Sequence, residues 1–167
     1  MKRLFSALLA ALMFAGCVAM FASCAREIPN DDYDSAKEAL EDAGYNVTAS
    51  DRDLEPGEDK SIFACSEDYE EYVRIVWCED VSYAKLLYDD LKFRHDREVS
   101  RLKHQIRHYE KYLDMYEDDM KNEEIDEYED NIKELEDLLK KMEEDYVVGR
   151  KGKMVWVGTV KVIKATK

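Results

Sequence analysis

The sequence predicts an α+β domain: a small antiparallel sheet with helices on one face, into which a long antiparallel coiled-coil helical hairpin is inserted. Two observations lead to this prediction. Residues 81–146 contain neither glycine nor proline, and their apolar residues recur at helical spacing. Short runs of β-branched and aromatic residues, separated by polar or glycine-containing turns, occur on both sides of this stretch.

The first 25 residues have the pattern of an export signal. Lys2 and Arg3 form a basic start, and residues 4–22 are an uncharged, apolar run. At the end of this run, residues 21–24 (Phe-Ala-Ser-Cys) resemble the lipobox of bacterial lipoproteins. The resemblance implies that residues 1–23 are cleaved off and that Cys24 carries a lipid. The mature chain is then expected on the extracytoplasmic face of the cell membrane, although the resemblance implies nothing about activity.

Other interpretations of this segment stay open. Residues 14–17 (Phe-Ala-Gly-Cys) are similar to a lipobox too, but lipidation of Cys17 would leave apolar residues at the start of the mature chain. Ordinary signal cleavage after Ala25 and retention of the apolar run as a membrane helix also fit the pattern. Of these alternatives, we expect lipidation of Cys24.

The chain is strongly acidic, with a formal net charge of −14. Removal of residues 1–23, which contain two basic residues and no acidic ones, changes this charge from −14 to −16. A nucleic-acid-binding protein needs a basic surface for the phosphates, and an acidic protein is repelled by anionic lipid. We therefore expect no nucleic-acid partner, and attachment to the membrane through the lipid anchor only.

Residues 24–33 are predicted to be the lipidated cysteine and a short tether, and residues 34–167 a single α+β domain. Asp34 is expected to cap a first helix, which stops at Gly44. Residues 45–49 are predicted to form the first strand.

A polar loop is predicted at residues 50–59. It contains five acidic residues without the glycine-centred spacing of a calcium-binding loop, so we expect solvated side chains rather than a metal site.

Residues 61–65 and 71–78 are predicted to form a β-hairpin around a polar turn. Cys65 then lies beside the turn and Cys78 near the far end, too distant for a disulfide. We expect two buried free thiols. No histidine lies near either cysteine in the sequence, so a cysteine nucleophile is not expected and the protein is predicted not to be an enzyme.

Asp80 is expected to cap the long helical stretch, in which two series of apolar residues alternate three and four apart, as in coiled coils. The step from the first series to the second is five residues, so one continuous helix would point them in different directions. A turn near residues 121–124 removes this conflict and predicts a hairpin arm over about residues 99–146; a coiled-coil dimer of long helices is the alternative. The first series is Val99, Leu102, Ile106, Tyr109, Leu113, Tyr116 and Met120, and the second is Ile125, Tyr128, Ile132, Leu135, Leu139, Met142 and Tyr146.

Residues 146–148 and 153–157 are predicted to form a second strand pair around a glycine-containing turn. Residues 159–167 fit either a short helix or a continued strand. This end of the chain is basic, and we expect its side chains to attract the acidic N-terminal third.

Two histidines and four tyrosines stand out on the arm. His104 and His108 are spaced so that both could meet one metal ion, but they lie on the outward face, where we expect them to be solvated. Tyr109, Tyr116 and Tyr128 belong to the two series and are expected to pack in the core, whereas Tyr112 lies outside them and is free to contact a partner.

The turn of the arm is densely acidic and either attracts a basic partner or divalent cations, or only keeps the turn solvated. The candidate partner contacts are Tyr112, Asp118, Asp119, Glu123 and Glu124. No cofactor motif is present.

Two functions fit these features. The first is an interaction or structural module, in which a membrane-anchored domain uses its acidic coiled-coil arm to contact another envelope protein. The second is a ligand-binding or enzymatic domain centred on the sheet, with the arm as a spacer or a dimerisation element. The sheet segments offer few groups for catalysis, so the first function is favoured.

Overall fold

The computed structural model describes residues 27–52, 54–116 and 120–167. Within these residues the chain forms five strands and four helices, and the α+β class is confirmed. In chain order they are α1 (Tyr33–Asp42), β1 (Asn46–Ser50), β2 (Glu58–Cys65), β3 (Tyr72–Cys78), α2 (Val81–Tyr116), α3 (Asn122–Glu144), β4 (Tyr146–Lys151), β5 (Met154–Thr159) and α4 (Val160–Lys164).

The strands form one antiparallel sheet in the order β1-β2-β3-β5-β4. The central strand β3 is followed in the chain by the two long helices, and the chain then returns to the sheet as the edge strand β4. The predicted hairpins β2–β3 and β4–β5 are both confirmed.

One face of the sheet, the first face, carries the larger core. Ile75 of β3 and Trp156 of β5 lie on this face and are at most 1 % exposed. Leu40 of α1 and Ile163 of α4 pack against them and are fully buried. The two short helices thus close one side of the sheet.

Helices cover the opposite, second face as well, so the prediction of helices on one face only is wrong. Val76 and Cys78 of β3, with Val155 of β5, lie on the second face, and Ala84 in the first turns of α2 packs on them. In the sequence, this face of β3 looks mixed because Arg74 is polar. Val76 and Cys78 on the same face are apolar, and burying them requires a helix packed over this side of the sheet.

Helix α1 begins earlier than expected. The side chain of Asp32, not Asp34, caps it by accepting a hydrogen bond from the backbone N–H of Ser35 at 2.9 Å. Asp34 lies in the first turn, where a carboxylate interacts favourably with the helix dipole. Gly44 follows the helix with a φ of +84°, as expected for a C-terminal glycine.

The two cysteines occupy the predicted places. Cys65 pairs with Tyr72 beside the β2–β3 turn, and Cys78 pairs with Glu58 at the far end. Both are buried and free, as predicted.

Residues 122–124 were predicted to belong to the turn between the long helices, but they lie in helix α3. Helix α2 ends at Tyr116 and helix α3 has already begun at Asn122, so Met120 is outside both helices. The start of α3 is stabilised by Glu124, whose Oε2 accepts a hydrogen bond from the backbone N–H of Lys121 at 3.1 Å. This bond satisfies a donor that the helix itself leaves free.

The C-terminal segment that fitted either a helix or a strand forms helix α4. The basic end forms ion pairs with acidic residues from the N-terminal half, as the charge pattern predicted: Lys161 with Glu71, Lys164 and Lys167 with Glu27, and Lys151 with Asp31. Such exposed pairs stabilise a domain only slightly.

No helix among the described residues combines the length and the hydrophobicity needed to cross a bilayer.

Candidate interaction surface on the helical pair

Residues 99–116 of α2 and all of α3, here called the helical pair, contact each other. Lys103 Nζ lies 2.6 Å from Glu143 Oε1, and Tyr109 contacts Tyr128. Because a residue further along α2 contacts a residue earlier in α3, the two helices run in opposite directions.

Packing within the helical pair is unequal along its length. Leu102 is fully buried and Ile106 is 7 % exposed, whereas none of the residues of α3 is fully buried. At the far end of α2, Tyr116 is 45 % exposed. The distal end, near the turn between the helices, therefore leaves apolar and aromatic surface in contact with water.

Tyrosine rings cluster at this distal end. Tyr112 and Tyr128 stack with ring centroids 5.1 Å apart and an interplanar angle of 18°. Tyr109 meets Tyr128 edge-on at 5.7 Å, and Tyr112 meets Tyr116 at 4.8 Å. The rings of both helices thus form one aromatic surface.

Two expectations about these tyrosines are wrong. Tyr112 was placed outside the helix contact, but its long side chain reaches across to Tyr128 and the residue is half-buried. Tyr116 was placed in the core, but it is the last residue of α2 and α3 begins only at Asn122. Little of α3 therefore lies opposite Tyr116, which leaves its ring exposed.

A cleft opens beside the tyrosine cluster. This distal cleft has a volume of about 370 Å³, within the range of small-ligand sites. Burial raises the pKa of Tyr128 above its ordinary value, with further contributions from Tyr112, Tyr109 and Glu127, so this phenol is neutral at physiological pH. The lining residues are Tyr109, Tyr112, Met120, Glu124, Glu127, Tyr128 and Asn131.

Acidic residues are concentrated at this end, with few basic residues near them in the sequence. In the part of the chain that the structure describes, no carboxylate between residues 123 and 130 forms an ion pair. Closer to the sheet, Glu143 and Glu70 each pair with a lysine. The distal end therefore carries uncompensated negative charge beside exposed rings.

The candidate contact residues have different positions. Tyr112 and Glu124 line the distal cleft, whereas Glu123 is exposed and does not line it. Asp118 and Asp119 lie outside the described residues, as does Cys24.

Sequence reasoning did not name five of the lining residues as candidate contacts: Tyr109, Met120, Glu127, Tyr128 and Asn131. A signal for the last two was present, because Glu124, Tyr128 and Asn131 recur four and three residues apart and so share a helix face.

A second groove lies on the helical pair, closer to the sheet. Its volume is about 420 Å³, and Ile106 and Leu139 line it together with basic and acidic side chains. The charged residues are Lys103, Arg107, Glu110 and Glu136, so this groove has a balanced charge and is less selective for a cation than the distal cleft.

The sheet carries one buried ionic group. The Glu58 side chain is only 3 % exposed, and its Oε1 lies 2.7 Å from Nη2 of Arg74, whose side chain is 39 % exposed. Burial, together with Glu58 and Asp80, raises the pKa of the nearby Cys78 thiol to about 11. Because the thiolate is the nucleophilic form, this thiol is unreactive at neutral pH.

The histidines are separated from other ligands. His104 and His108 are exposed on α2. Among the described residues, no three His, Cys, Asp or Glu side chains converge as a metal site would require.

Compared with protein-family models, with curated proteins and with solved structures, the chain shows no significant match.

Proposed function

We propose that the protein is a lipid-anchored module on the extracytoplasmic face of the cell membrane. In this proposal α2 and α3 form an antiparallel coiled-coil hairpin, and its acidic distal end binds another protein of the cell envelope. The sheet domain is the base that holds the arm, and the chain has no catalytic function.

Support for the anchor comes from residues 1–24, which resemble the signal segment of bacterial lipoproteins. Each buried methylene of an attached acyl chain contributes about 0.8 kcal/mol, so more than one chain on Cys24 makes the attachment stable. The tether of residues 24–33 then joins the lipid to the sheet domain.

Support for a coiled-coil hairpin comes from the three-and-four spacing in both helices and from their cross-contacts. Leu102 and Ile106 of the first series are buried, and the α3 positions at that spacing are half-buried, as expected where a helix faces only one neighbour. A hairpin within one chain needs no second copy, so the proposed state is a monomer rather than a coiled-coil dimer.

The observation that carries the proposal is the distal end itself. Tyrosines are common at protein interfaces because they bury a large area and keep a polar hydroxyl. Here they lie beside carboxylates without ion-pair partners. A surface with this composition is suited to a basic partner.

Crosslinking in the native envelope tests the proposal. The intact protein is compared with a variant in which residues 100–145 are replaced by a short glycine linker. We expect its protein adducts to disappear with the arm. A Cys24→Ala variant controls for location, since it should release the protein from the membrane and lose the same adducts while retaining the arm. Adducts that persist without the arm would contradict the proposal.

A ligand-binding site on the sheet is the second candidate function. It is favoured by the second face near β2, where Phe63 is 38 % exposed and lies 6.2 Å from the Tyr72 ring. Arg74 pairs with Phe63 across the strands, so a cation also borders this aromatic surface. A thermal-shift screen in which small molecules stabilised the arm-deleted and intact proteins equally would support this candidate.

A further inference from the structure

The distal cleft combines three properties that small organic cations require. It is concave, it is lined by aromatic rings, and it has carboxylates at its border. Tyr109, Tyr112 and Tyr128 line the cleft, and cations are attracted to an aromatic ring when they lie over its face within about 6 Å of the centroid. Glu124 and Glu127 supply full negative charges on the same cleft.

A metal ion is a poor fit for this lining. Calcium and magnesium need several converging oxygen ligands, whereas four of the seven lining residues are tyrosines or methionine. The described residues also contain no convergent group of three metal-ligating side chains. An organic cation fits this lining better than a metal ion does.

Among organic cations that proteins present, arginine fits better than lysine. The guanidinium group is planar and stacks on aromatic faces, and its N–H donors pair with a carboxylate in a fork. It is also more weakly hydrated than an ammonium group, so its transfer into a partly apolar cleft costs less. The cleft offers a ring and a carboxylate together, which matches both properties.

We propose that the distal cleft binds an arginine side chain of a basic partner segment, with the guanidinium group against the tyrosine cluster and paired with Glu124 or Glu127. The inference rests on the proposed function, because it assigns the chemistry of the partner that the arm contacts. The rings position the cation, and the carboxylates supply the attraction.

The test uses the full lipidated chain in a mild detergent at physiological salt. The probes are a short peptide of alternating arginine and serine and a lysine–serine peptide of equal length and charge. Titration calorimetry measures both affinities. We expect the arginine peptide to bind several-fold more tightly, because the two peptides differ in stacking and fork geometry and not in charge.

Two matched double variants distinguish binding in the cleft from general electrostatic attraction to the acidic helix α3. Glu124→Gln with Glu127→Gln removes two charges at the cleft, and Glu134→Gln with Asp137→Asn removes two charges about 15 Å further along the helix at 1.5 Å per residue. The screening length at physiological salt is about 8 Å. The first variant should weaken arginine-peptide binding by on the order of tenfold, and the second by less than about twofold.

Variants of Tyr112 test the ring. Tyr112→Phe retains the π face and should retain most of the affinity, whereas Tyr112→Leu should lose on the order of fivefold at unchanged charge. Because Tyr112→Leu also removes the stacking contact with Tyr128, the proton NMR spectrum of the arginine peptide provides a second measurement on the unchanged protein. Stacking on a ring should shift the arginine side-chain signals upfield.

Several results would overturn the inference. These are equal affinity for the two peptides, equal weakening by the two double variants, or no upfield shift on binding. A further result would overturn the inference but not the proposed function: envelope adducts that require the arm and yet persist in both the Tyr112→Leu variant and the cleft double variant. Adducts that survive deletion of the arm would overturn both.

Discussion

Replacement of Gly149 in β4 by alanine is expected to destabilise the sheet domain through overpacking. A Cβ atom at this position would lie 2.2 Å from Cε2 and Cζ2 of the Trp156 ring. Trp156 is 1 % exposed and is packed between α1, α4 and the sheet, so the ring has no free space into which it can move. The residue in β4 must therefore be small because of its neighbour in β5.

The size of this effect follows from two opposing contributions. Overpacking of a core costs about 1–3 kcal/mol, and alanine recovers about 0.4–1 kcal/mol by restricting the unfolded chain. The expected net loss is about 1–2 kcal/mol in the free energy of unfolding. For a domain of this size, 1 kcal/mol shifts Tm by about 2–4 °C, so Tm should fall by about 2–8 °C.

Thermal unfolding followed by circular dichroism and by tryptophan fluorescence measures this loss. Gly152→Asn is the matched control: a Cβ there meets no atom within 4 Å, and asparagine tolerates the positive φ of +60°. The control should stay within about 0.5 kcal/mol of the parent protein. If the Gly149→Ala variant were as stable as the control, the close contact between the Trp156 ring and Gly149 of β4 would be refuted.

Three further predictions concern the core and the helical pair. The pKa of the Cys78 thiol is raised from 9.0 to about 11, so the unfolded chain loses this proton at a lower pH than the folded chain does. The free energy of unfolding should therefore fall as the pH rises from about 9 to about 11, and it should fall less steeply in the Cys78→Ala variant. Arg74→Met leaves the buried Glu58 carboxylate without its cation. The free energy of unfolding, measured in urea, should fall by roughly 3 kcal/mol, and by less where water reaches the half-exposed site. Adding Glu58→Leu should recover part of this loss. Leu102→Ala should accelerate amide hydrogen exchange in α3 and leave that of β3 unchanged, because Leu102 is fully buried in the helical pair.

Local patterns predicted much of the fold. The β2–β3 hairpin followed from two β-branched runs around a polar turn, and this register separated Cys65 from Cys78. The long helices followed from a stretch without glycine or proline. These features depend on neighbours in the sequence, where periodicity and turn chemistry are most informative.

Features that depend on distant contacts were not predictable. Helix α2 packs on the second face because Val76 and Val155 are adjacent there in the sheet, although they are far apart in the sequence. The contact between Tyr112 and Tyr128 joins two different helices, so the spacing of residues along either helix could not predict it. The start of α3 at Asn122 is different, because the bond between Glu124 and the backbone N–H of Lys121 is local and its capping signal was overlooked in the sequence.

Site-specific photocrosslinking in the intact envelope tests the central claim most directly. A photoreactive amino acid is placed at Tyr116, which is exposed beside the distal cleft, and in a separate variant at Asp137, which is exposed on α3 nearer the sheet. We expect a protein adduct from position 116 that is lost with Glu124→Gln and Glu127→Gln, and no adduct from position 137. Equal adducts from both positions, or an adduct at 116 indifferent to the two glutamates, would contradict binding at the distal end.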